Sequence, residues 1–225
     1  HVGTLIAVLI YLRQDILNIS VAIFSQADSA KQTHHRHIGL MIVGATMPLA
    51  LVGFMLNYAN WHWLTLATTL AWANIIFAGL LLAADKLGGQ SHGLADIRWS
   101  AALGIGLVQI CALIPGASRS GVTMTAARFF GYDRVTAARF SLLLSLPAIG
   151  GAGFLKTIDI VNDSNSQLGF DAAMVTLLSA LLALLAIRMM MFWLAKANFT
   201  VFVLYRLVLG IILLLGLELD LIAAV

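Results

Sequence analysis

The sequence predicts an all-α, polytopic transmembrane protein with inverted-topology repeats and a re-entrant hairpin, and its composition is the first reason. Of the 225 residues, 61% are hydrophobic and 10% are charged, whereas a soluble domain carries about 25% charged residues. Mean hydropathy is +0.96. Apolar runs of about 20 residues recur along the chain, as a hydrocarbon core of about 30 Å requires. We therefore exclude a soluble globular domain and expect one integral membrane domain over residues 1–225.

Apolar segments alternate with polar connections along the whole chain. The apolar segments are 2–12, 38–58, 64–84, 99–114, 134–154, 170–196 and 200–217. The polar connections are 25–37, 59–63, 85–98, 155–169 and 197–199. Each long apolar segment is expected to be a membrane-spanning helix, because a helix satisfies all its backbone hydrogen bonds internally.

Proline and aromatic residues add detail to these segments. Pro48 is expected to kink its helix and Pro147 to interrupt segment 134–154. Trp61 and Trp63 fall where an interfacial aromatic belt is expected. Residues 16–24 are apolar but too short to span, and we expect them to lie along the membrane interface.

Basic residues indicate the orientation, because cytoplasmic loops carry an excess of Lys and Arg. Connections 25–37, 85–98 and 197–199 contain or adjoin lysines and arginines and are expected inside. Connection 155–169 has more acidic than basic residues and is expected outside. The net charge of +3 is therefore interpreted as a topology signal, and no nucleic-acid partner is expected.

This orientation predicts a re-entrant hairpin over residues 99–130. Segment 134–154 supplies the one crossing that is needed, so 99–130 must begin and end on the cytoplasmic side. We expect residues 99–114 to enter, a loop over 115–121 to turn within the membrane, and a short helix over 122–130 to return. The alternative of two ordinary spans is disfavoured because 122–130 is too short.

The segments also form a pattern of repeats. Residues 1–98 and 99–225 show the same rhythm of helices with opposite starting directions, which predicts an inverted-topology repeat. The second repeat begins with the hairpin. By the same logic, the first repeat is truncated, and a hairpin of about thirty residues is expected before His1.

The candidate site is the stretch PGASRSGVT, which begins at Pro115. Gly116 and Gly121 allow a tight, partly left-handed backbone whose N–H groups point at one centre. Gly121 is expected to open the helix 122–130, whose N-terminus attracts anions.

Polar side chains in the same stretch add hydrogen-bond donors. Ser118, Ser120 and Thr123 carry hydroxyl groups, and the guanidinium of Arg119 matches phosphate oxygens. Arg119 and Arg206 are the two basic residues left within the membrane, which marks both as functional candidates. The alternative is a helix-packing turn with an arginine that extends to the surface. We favour a phosphate-binding loop.

The region from Gln109 to Gly153 resembles a signature of bacterial undecaprenyl-diphosphate phosphatases, the bacitracin-resistance family. The pattern is P-G-x-S-R-S-G-x-T followed by A-A-R-F-S-x-L-L-S-x-P. The opening HVGTLIAVLIYLRQDI resembles the segment after that family's first signature, and residues 198–215 resemble its last span. The resemblance therefore covers essentially the whole chain.

The resemblance implies hydrolysis of undecaprenyl diphosphate to undecaprenyl phosphate and inorganic phosphate, which recycles the lipid carrier of cell-wall synthesis. It implies a multi-pass protein of the bacterial cytoplasmic (inner) membrane, with its active site facing outside. The implied partners are undecaprenyl diphosphate and the lipid bilayer. Ser118 and Arg119 are the expected catalytic residues. The expected phosphate-binding residues are Ser118, Arg119, Ser120, Gly121, Thr123 and Arg206.

The family's first signature, a glutamate-rich run that ends in Ser-Ser-Thr-Gly-His, is expected before His1. It would supply the ligands of a divalent cation, Mg or Ca, and a catalytic histidine. No metal ligand is therefore expected within residues 1–225, and these residues alone are expected to lack full activity. Gln109 is expected to satisfy the backbone of the hairpin, and Asp85 to be a poor catalytic candidate at the cytoplasmic edge.

Several alternatives stay open at the level of sequence. Inverted repeats with broken helices are also the plan of many transporters, so a phosphorylated-lipid transporter or flippase is the main alternative. A non-catalytic remnant that packs within a complex is the other. Whether the nucleophile is water or a serine, and whether the protein forms a homodimer, are not decided by the sequence.

Overall fold

The computed structural model describes residues 2–24, 30–57, 66–89, 91–162 and 166–219, and the regular structure in these ranges is helical, without a strand. The α-helices are α1 Val2–Tyr11, α2 Arg13–Phe24, α3 Ala30–Asn57, α4 Ala67–Leu87, α5 Trp99–Val108, α6 Arg119–Phe129, α7 Arg134–Asn162, α8 Ser166–Leu194 and α9 Thr200–Glu218. Short 3-10 helices cover Leu94–Asp96 and Gln109–Leu113.

Four stretches of these helices are long and apolar enough to cross a membrane. They are Gln32–Leu56, Ala67–Leu87, Met174–Leu194 and Thr200–Glu218. This confirms the prediction of a polytopic helical protein. Within the described part of the chain, α7 is not among the four, so the crossing predicted for 134–154 stays a prediction.

Helices α1 and α2 meet at an angle of 81° and together carry enough apolar residues for one broken span. If α1 stands along the membrane normal, α2 runs close to the membrane plane. The expectation that residues 16–24 lie along the interface stays a prediction.

Two predicted connections are wrong for much of their length. Helix α3 begins at Ala30, inside the predicted connection 25–37, and α7 continues to Asn162 before α8 begins at Ser166. A helix can leave the membrane where its residues become polar and still continue, because its backbone hydrogen bonds do not depend on the lipid. Composition therefore indicates the membrane boundary better than it indicates the end of the helix. Connection 59–63, with both predicted belt tryptophans, lies outside the described residues.

Pro48 lies in the interior of α3, and Pro147 lies in the interior of α7. Helix α7 nevertheless continues through Pro147, so the predicted interruption of 134–154 is wrong. Neighbouring backbone and side-chain groups can satisfy the carbonyl that a membrane-helix proline leaves free, which is why the helix can persist.

The chain divides into two compact units. The first comprises His1–Val43 and Leu142–Trp193. In it, α1 packs on α8 at Gly3, where an added Cβ would lie 2.8 Å from the Cβ of Ser179. The predicted division into repeats 1–98 and 99–225 stays a prediction.

The second unit comprises Gly44–Ser141 and Leu194–Val225 and contains the candidate site. Helix α4 packs against both α9 and α6 within it. Helix α6 also packs against α5 and the 3-10 helix Gln109–Leu113, so residues 99–129 form a helical hairpin. Neither arm is long enough to be an ordinary span, which favours the predicted hairpin over two spans.

Candidate active site

The turn of the hairpin, residues 114–118, is held tightly against α4. The N–H of Ala117 donates to the carbonyl of Ile114 at 3.1 Å. Gly116 has φ +89°, and an added Cβ there would collide with the carbonyl oxygen of Leu70. A residue with a side chain fits neither this backbone conformation nor this spacing. The predicted left-handed glycine is therefore confirmed at Gly116.

Helix α6 begins at Arg119, three residues before the predicted start. Ser118 is its N-cap and accepts a hydrogen bond from the N–H of Gly121 at 3.3 Å. The expectation that Gly121 opens the helix, after a loop over 115–121, is therefore wrong. Ser118 caps the backbone earlier, and Arg119 and Ser120 lie in the first helical turn, where backbone amides have no carbonyl partner within the helix.

Ser118 adopts an unusual backbone conformation, with φ 64° and ψ 108°. Among the described residues, Ser118 is the only one other than glycine that has a positive φ. Such a conformation costs about 1–3 kcal/mol and persists only when its surroundings enforce it. The hydroxyl groups of Ser118 and Ser120 are exposed, and their oxygens lie 3.5 Å apart.

Arg206, on α9, lies buried beside this turn, and only 8% of it is exposed. Its Nη2 donates to the carbonyls of Gly116 at 2.8 Å and Ala117 at 2.9 Å. Its Nε donates to Oδ1 of Asn74 at 2.7 Å, and Nδ2 of Asn74 donates back to the carbonyl of Arg206 at 3.1 Å. The guanidinium therefore joins α9, α4 and the hairpin turn.

The remaining nitrogen of Arg206 points at the first turn of α6. A Cβ added to Gly121 would lie 2.7 Å from Nη1 of Arg206. This Nη1 is buried and has no hydrogen-bond partner among the described residues, and the same is true of Nη1 of Arg119. Neither arginine has an ion pair with a described carboxylate.

The electrostatics of the site therefore favour an anion. Two guanidinium groups without a carboxylate partner lie at the positive end of the α6 dipole. A buried guanidinium without a partner is costly, and an anion that accepts from its free N–H removes that cost. A phosphate group presents several such acceptors. The structure thus brings Ser118, Arg119, Ser120, Gly121 and Arg206 to one place.

The structure places Thr123 differently. Only 1% of it is exposed, and its hydroxyl donates to the carbonyl of Arg119 at 3.0 Å or that of Ser120 at 3.2 Å. Its Oγ1 also lies 2.7 Å from Oγ of Ser141. These contacts connect α6 to the start of α7. A direct contact between Thr123 and phosphate stays a prediction.

The expectation for Gln109 is wrong. Its side chain is completely buried, but neither Oε1 nor Nε2 has a hydrogen-bond partner in the described residues. The hairpin backbone at this point closes its own hydrogen bonds in a 3-10 helix, as when the N–H of Ile114 donates to the carbonyl of Cys111. The amide of Gln109 is therefore not used to satisfy the backbone.

Sequence reasoning missed Asn74, which holds Arg206. The available signal was a carboxamide in the middle of the apolar helix α4, because a buried polar side chain in a membrane helix requires a partner. Sequence reasoning also missed the role of Arg128, which is completely buried. Nη1 of Arg128 donates to the carbonyls of Gly89 and Tyr132, each at 2.6 Å.

Asp85 lies at the centre of this second polar cluster. Its Oδ1 accepts from Nε of Arg134 at 2.6 Å and lies 3.6 Å from Nε of Arg128, and its Oδ2 accepts from the N–H of Phe199 at 3.1 Å. The carboxylate thus joins the end of α4 to α6, α7 and α9. The structure thus gives Asp85 a connecting role, and the expectation that it is a poor catalytic candidate stays a prediction.

The described residues do not fit the divalent cation that the resemblance implies. Among them, no three His, Cys, Asp or Glu side chains come together as metal ligands. The groups around the α6 N-terminus are donors, which repel a cation in the absence of a bound anion. The cation therefore stays a prediction, and we derive no step of the reaction from it.

Comparisons with known proteins show which family the chain is related to. Residues 1–212 match the family model described as bacitracin resistance protein BacA. An undecaprenyl-diphosphatase of Alteromonas mediterranea is 37% identical over 214 residues, which cover 95% of this chain and 80% of that protein. One of Alcanivorax borkumensis is 39% identical over 217 residues, or 95% and 81% of the two chains. One of Hahella chejuensis is 38% identical over 210 residues, or 93% and 79%.

The match runs through both compact units and includes the hairpin, its turn and the α9 arginine. A family model that matches residues 1–212, together with relatives of this identity over nearly the whole chain, shows the family. The protein therefore belongs to the bacitracin resistance protein BacA family.

Proposed function

We propose that this membrane protein hydrolyses undecaprenyl diphosphate to undecaprenyl phosphate and inorganic phosphate. The observation that carries the proposal is the position of Arg206. Asn74 and the turn carbonyls hold its guanidinium, and its free Nη1 faces the first turn of α6. Relatives named undecaprenyl-diphosphatase support the same substrate. These names favour the hydrolase over the alternative of a transporter or flippase.

The chain's own groups bind and orient the diphosphate in this proposal. The free N–H groups of Arg206 and Arg119, with the amides at the start of α6, donate hydrogen bonds to the phosphate oxygens and stabilise their negative charge. Overall, the oxygen of one water ends on the terminal phosphorus, either directly or through a serine ester that water then hydrolyses. The bridging P–O bond breaks, the leaving prenyl phosphate takes its electron pair, and the protons of the water pass to the released phosphate and to solvent. Such a reaction depends mainly on charge stabilisation and in-line positioning. Ser118 and Arg119 stay the predicted catalytic residues.

The expected setting of the reaction is part of the proposal. Four long apolar helices indicate a multi-pass membrane protein. We place it in the bacterial cytoplasmic membrane, with the hairpin turn open to the outer side, where used lipid carrier accumulates. This orientation is supported by the distribution of Lys and Arg along the sequence. The homodimer stays a prediction that light scattering of the purified protein tests.

The first experiment compares the natural protein with Arg119→Ala. Phosphate release from a long-chain polyprenyl diphosphate is measured in detergent. We expect kcat/KM to fall about 10²–10³-fold, the usual loss when one preorganised donor to a developing oxyanion is removed.

Arg98→Ala is the matched control, because Arg98 is an exposed arginine just before α5 and should leave the rate unchanged. No release from a folded natural protein would contradict the enzyme. Equal release from Arg119→Ala would keep the enzyme and remove Arg119 from the site.

A further inference from the structure

A polar cavity lies at the bend between α1 and α2, within the first compact unit. Its volume is about 300 Å³, and it is lined by Ile10, Tyr11, Arg13, Gln14 and Arg188. The two helices meet at an angle of 81° at this point. The cavity brings residues from both sides of the bend together with Arg188 of α8. Four of the five lining residues are polar, in a unit whose other surfaces are mainly apolar.

The two arginines of this cavity have no partner. Neither Arg13 nor Arg188 has an ion pair or hydrogen bond with any described residue, and both side chains are exposed. The nearby Asp15 does not line the cavity and has an interaction of its own. Two guanidinium groups on one cavity repel each other unless an anion lies between them. The cavity therefore has the charge complementarity of an anion site.

The arginine fork, with a tyrosine hydroxyl and a glutamine amide, suits a phosphate group in particular. Guanidinium groups bind phosphate oxygens through two parallel hydrogen bonds. The phenol of Tyr11 and the carboxamide of Gln14 can each donate one more hydrogen bond.

The surroundings of the cavity place it at the level of lipid headgroups. Helix α1 is apolar up to the bend, and α8 is apolar over Met174–Leu194. Phe192 and Trp193, just beyond Arg188, are 66% and 43% exposed, as in an interfacial aromatic belt. Arg13 and Arg188 are expected on the cytoplasmic side by the distribution of basic residues. Basic pockets between helices on that side bind lipid headgroups.

A separate apolar groove lies on α8. It has a volume of about 240 Å³ and is lined by Met174, Val175, Leu177, Leu178 and Leu181. Leu181 and Arg188 are about two helical turns apart and therefore share one face of α8. A molecule with its phosphate at Arg188 can thus lay an acyl chain along this groove. Free inorganic phosphate would leave the groove unused.

We propose that the cavity at the α1–α2 bend binds the phosphate group of an anionic phospholipid from the cytoplasmic leaflet. Arg13 and Arg188 hold the phosphate between them, and an acyl chain follows the α8 groove. The site shares no residue with the proposed active site, so it concerns lipid binding and not hydrolysis. The bound lipid ties α8 to the bend between α1 and α2.

The test uses the natural protein purified in detergent. It is titrated with dioleoyl phosphatidylglycerol or dioleoyl phosphatidylcholine, and native mass spectrometry counts the lipid molecules retained. We expect the protein to retain phosphatidylglycerol and not phosphatidylcholine. The double variant Arg13→Gln/Arg188→Gln should bind phosphatidylglycerol at least tenfold more weakly, because each charge-assisted hydrogen bond contributes enough to change affinity by about this factor.

Lys86→Gln/Arg98→Gln is the matched control, since it also removes two exposed positive charges, but neither residue lines the cavity. It should bind phosphatidylglycerol like the natural protein. Arg188→Lys keeps the positive charge but loses the planar guanidinium. It should bind phosphatidylglycerol more weakly than the natural protein and more tightly than the double variant, and it replaces the double variant in the test if that variant does not fold.

Three results would overturn the proposal. The first is equal retention of the two lipids by the natural protein, and the second is unchanged binding by the double variant. The third is tighter binding of inorganic phosphate than of phosphatidylglycerol, which would make the ligand a free anion. Hydrolysis of polyprenyl diphosphate is measured in parallel and should be unchanged in the double variant. A failure of lipid binding therefore leaves the proposed enzyme intact.

Discussion

At the scale of single residues, Arg206 shows how the site keeps a buried charge. Burial of a guanidinium is costly unless hydrogen bonds replace its water. Asn74 and the carbonyls of Gly116 and Ala117 supply partners for Nε and Nη2. Nη1 has no partner among the residues that the structure describes. The same contacts that make the burial tolerable also fix the direction in which the free N–H points.

Asn74 gives a test of this arrangement through two substitutions. Asn74→Asp keeps the shape and the acceptor for Nε of Arg206 but loses the Nδ2 donor to the carbonyl of Arg206. It also adds a carboxylate, which neutralises the guanidinium by an ion pair. We expect Asn74→Asp to raise KM for the diphosphate more than Asn74→Ala does, although Asn74→Asp should unfold at the higher temperature. Steady-state kinetics and thermal unfolding in detergent measure both quantities.

The control for the Asn74 pair is Ile76→Ala. Ile76 lies on the same helix, 55% exposed, and should leave KM unchanged. If Asn74 served only to connect α4 and α9, Asn74→Ala would be the more damaging variant in both measurements. If the two variants ranked in that way, we would conclude that Asn74 does not position Arg206 for the substrate.

The site could be predicted in part from sequence at this scale. Ser118, Arg119, Ser120 and Arg206 stand out as polar residues in apolar surroundings, and the structure brings them together. Asn74 was not predicted, because its role depends on the register between α4 and α9, which no local pattern reports. The buried contacts of Thr123 were not predicted either, since a threonine hydroxyl in a helix can bond to its own backbone.

At the scale of elements, the hairpin turn determines where the α6 amides lie. The orientation given by the basic residues predicted the hairpin. The start of α6 was predicted three residues late, because Gly121 was taken as the helix start and Ser118 is the actual N-cap. Gly116 is the residue that lets the turn approach α4. Its positive φ and the nearby carbonyl of Leu70 are two separate reasons for glycine there.

A comparison of Gly116→Ala with Gly131→Ala separates the effect of a positive φ from the effect of close packing against a neighbouring helix. Gly131 has φ +87°, but an added Cβ there would meet only the ring of His92, at 3.4 Å. Both variants suffer backbone strain of about 1 kcal/mol, and only Gly116→Ala must also move the turn away from α4. We expect Gly116→Ala to unfold at a clearly lower temperature and to lose activity.

Thermal unfolding and phosphate release measure this pair. Gly131→Ala should keep most of its activity because its strain lies beyond the far end of α6. If the two variants lost equal stability and activity, close packing of the turn on α4 would have no special part in the site.

At the scale of the whole molecule, composition predicted the all-helical membrane class, which the long apolar helices confirm. The helix ends near 25–37 and 155–169 were not predicted, because polar sequence marks the edge of the membrane and helices continue past it. The polar contacts at the other end of α4 and α6, away from the hairpin turn, were not predicted either. There, Asp85 and Arg128 lie far apart in sequence, and only the fold brings them together.

Asp85→Asn tests the importance of that polar cluster. The substitution removes the carboxylate that faces Arg134 and Arg128, of which Arg128 is completely buried. Removal of one partner from a buried ion pair costs about 3–5 kcal/mol, because the other charge is left uncompensated. We expect a large fall in the unfolding temperature in detergent.

Asp96→Asn is the comparison for the same chemical change. Asp96 is exposed, and its Oδ2 accepts from the N–H of Gly93 at 2.8 Å. Its loss should change stability by less than about 1 kcal/mol. Equal effects of the two variants would mean that the cluster around Asp85 contributes little.

Gly121 gives the site a property that charge alone does not. The nearest atom to its missing side chain is the free nitrogen of Arg206, at 2.7 Å. A single methyl group there would push the guanidinium aside while every polar group of the site stayed in the chain. Anion binding can therefore be lost through a change in side-chain volume alone. A homologue with a larger residue at this position could keep all the hydrogen-bond donors and still not bind the anion.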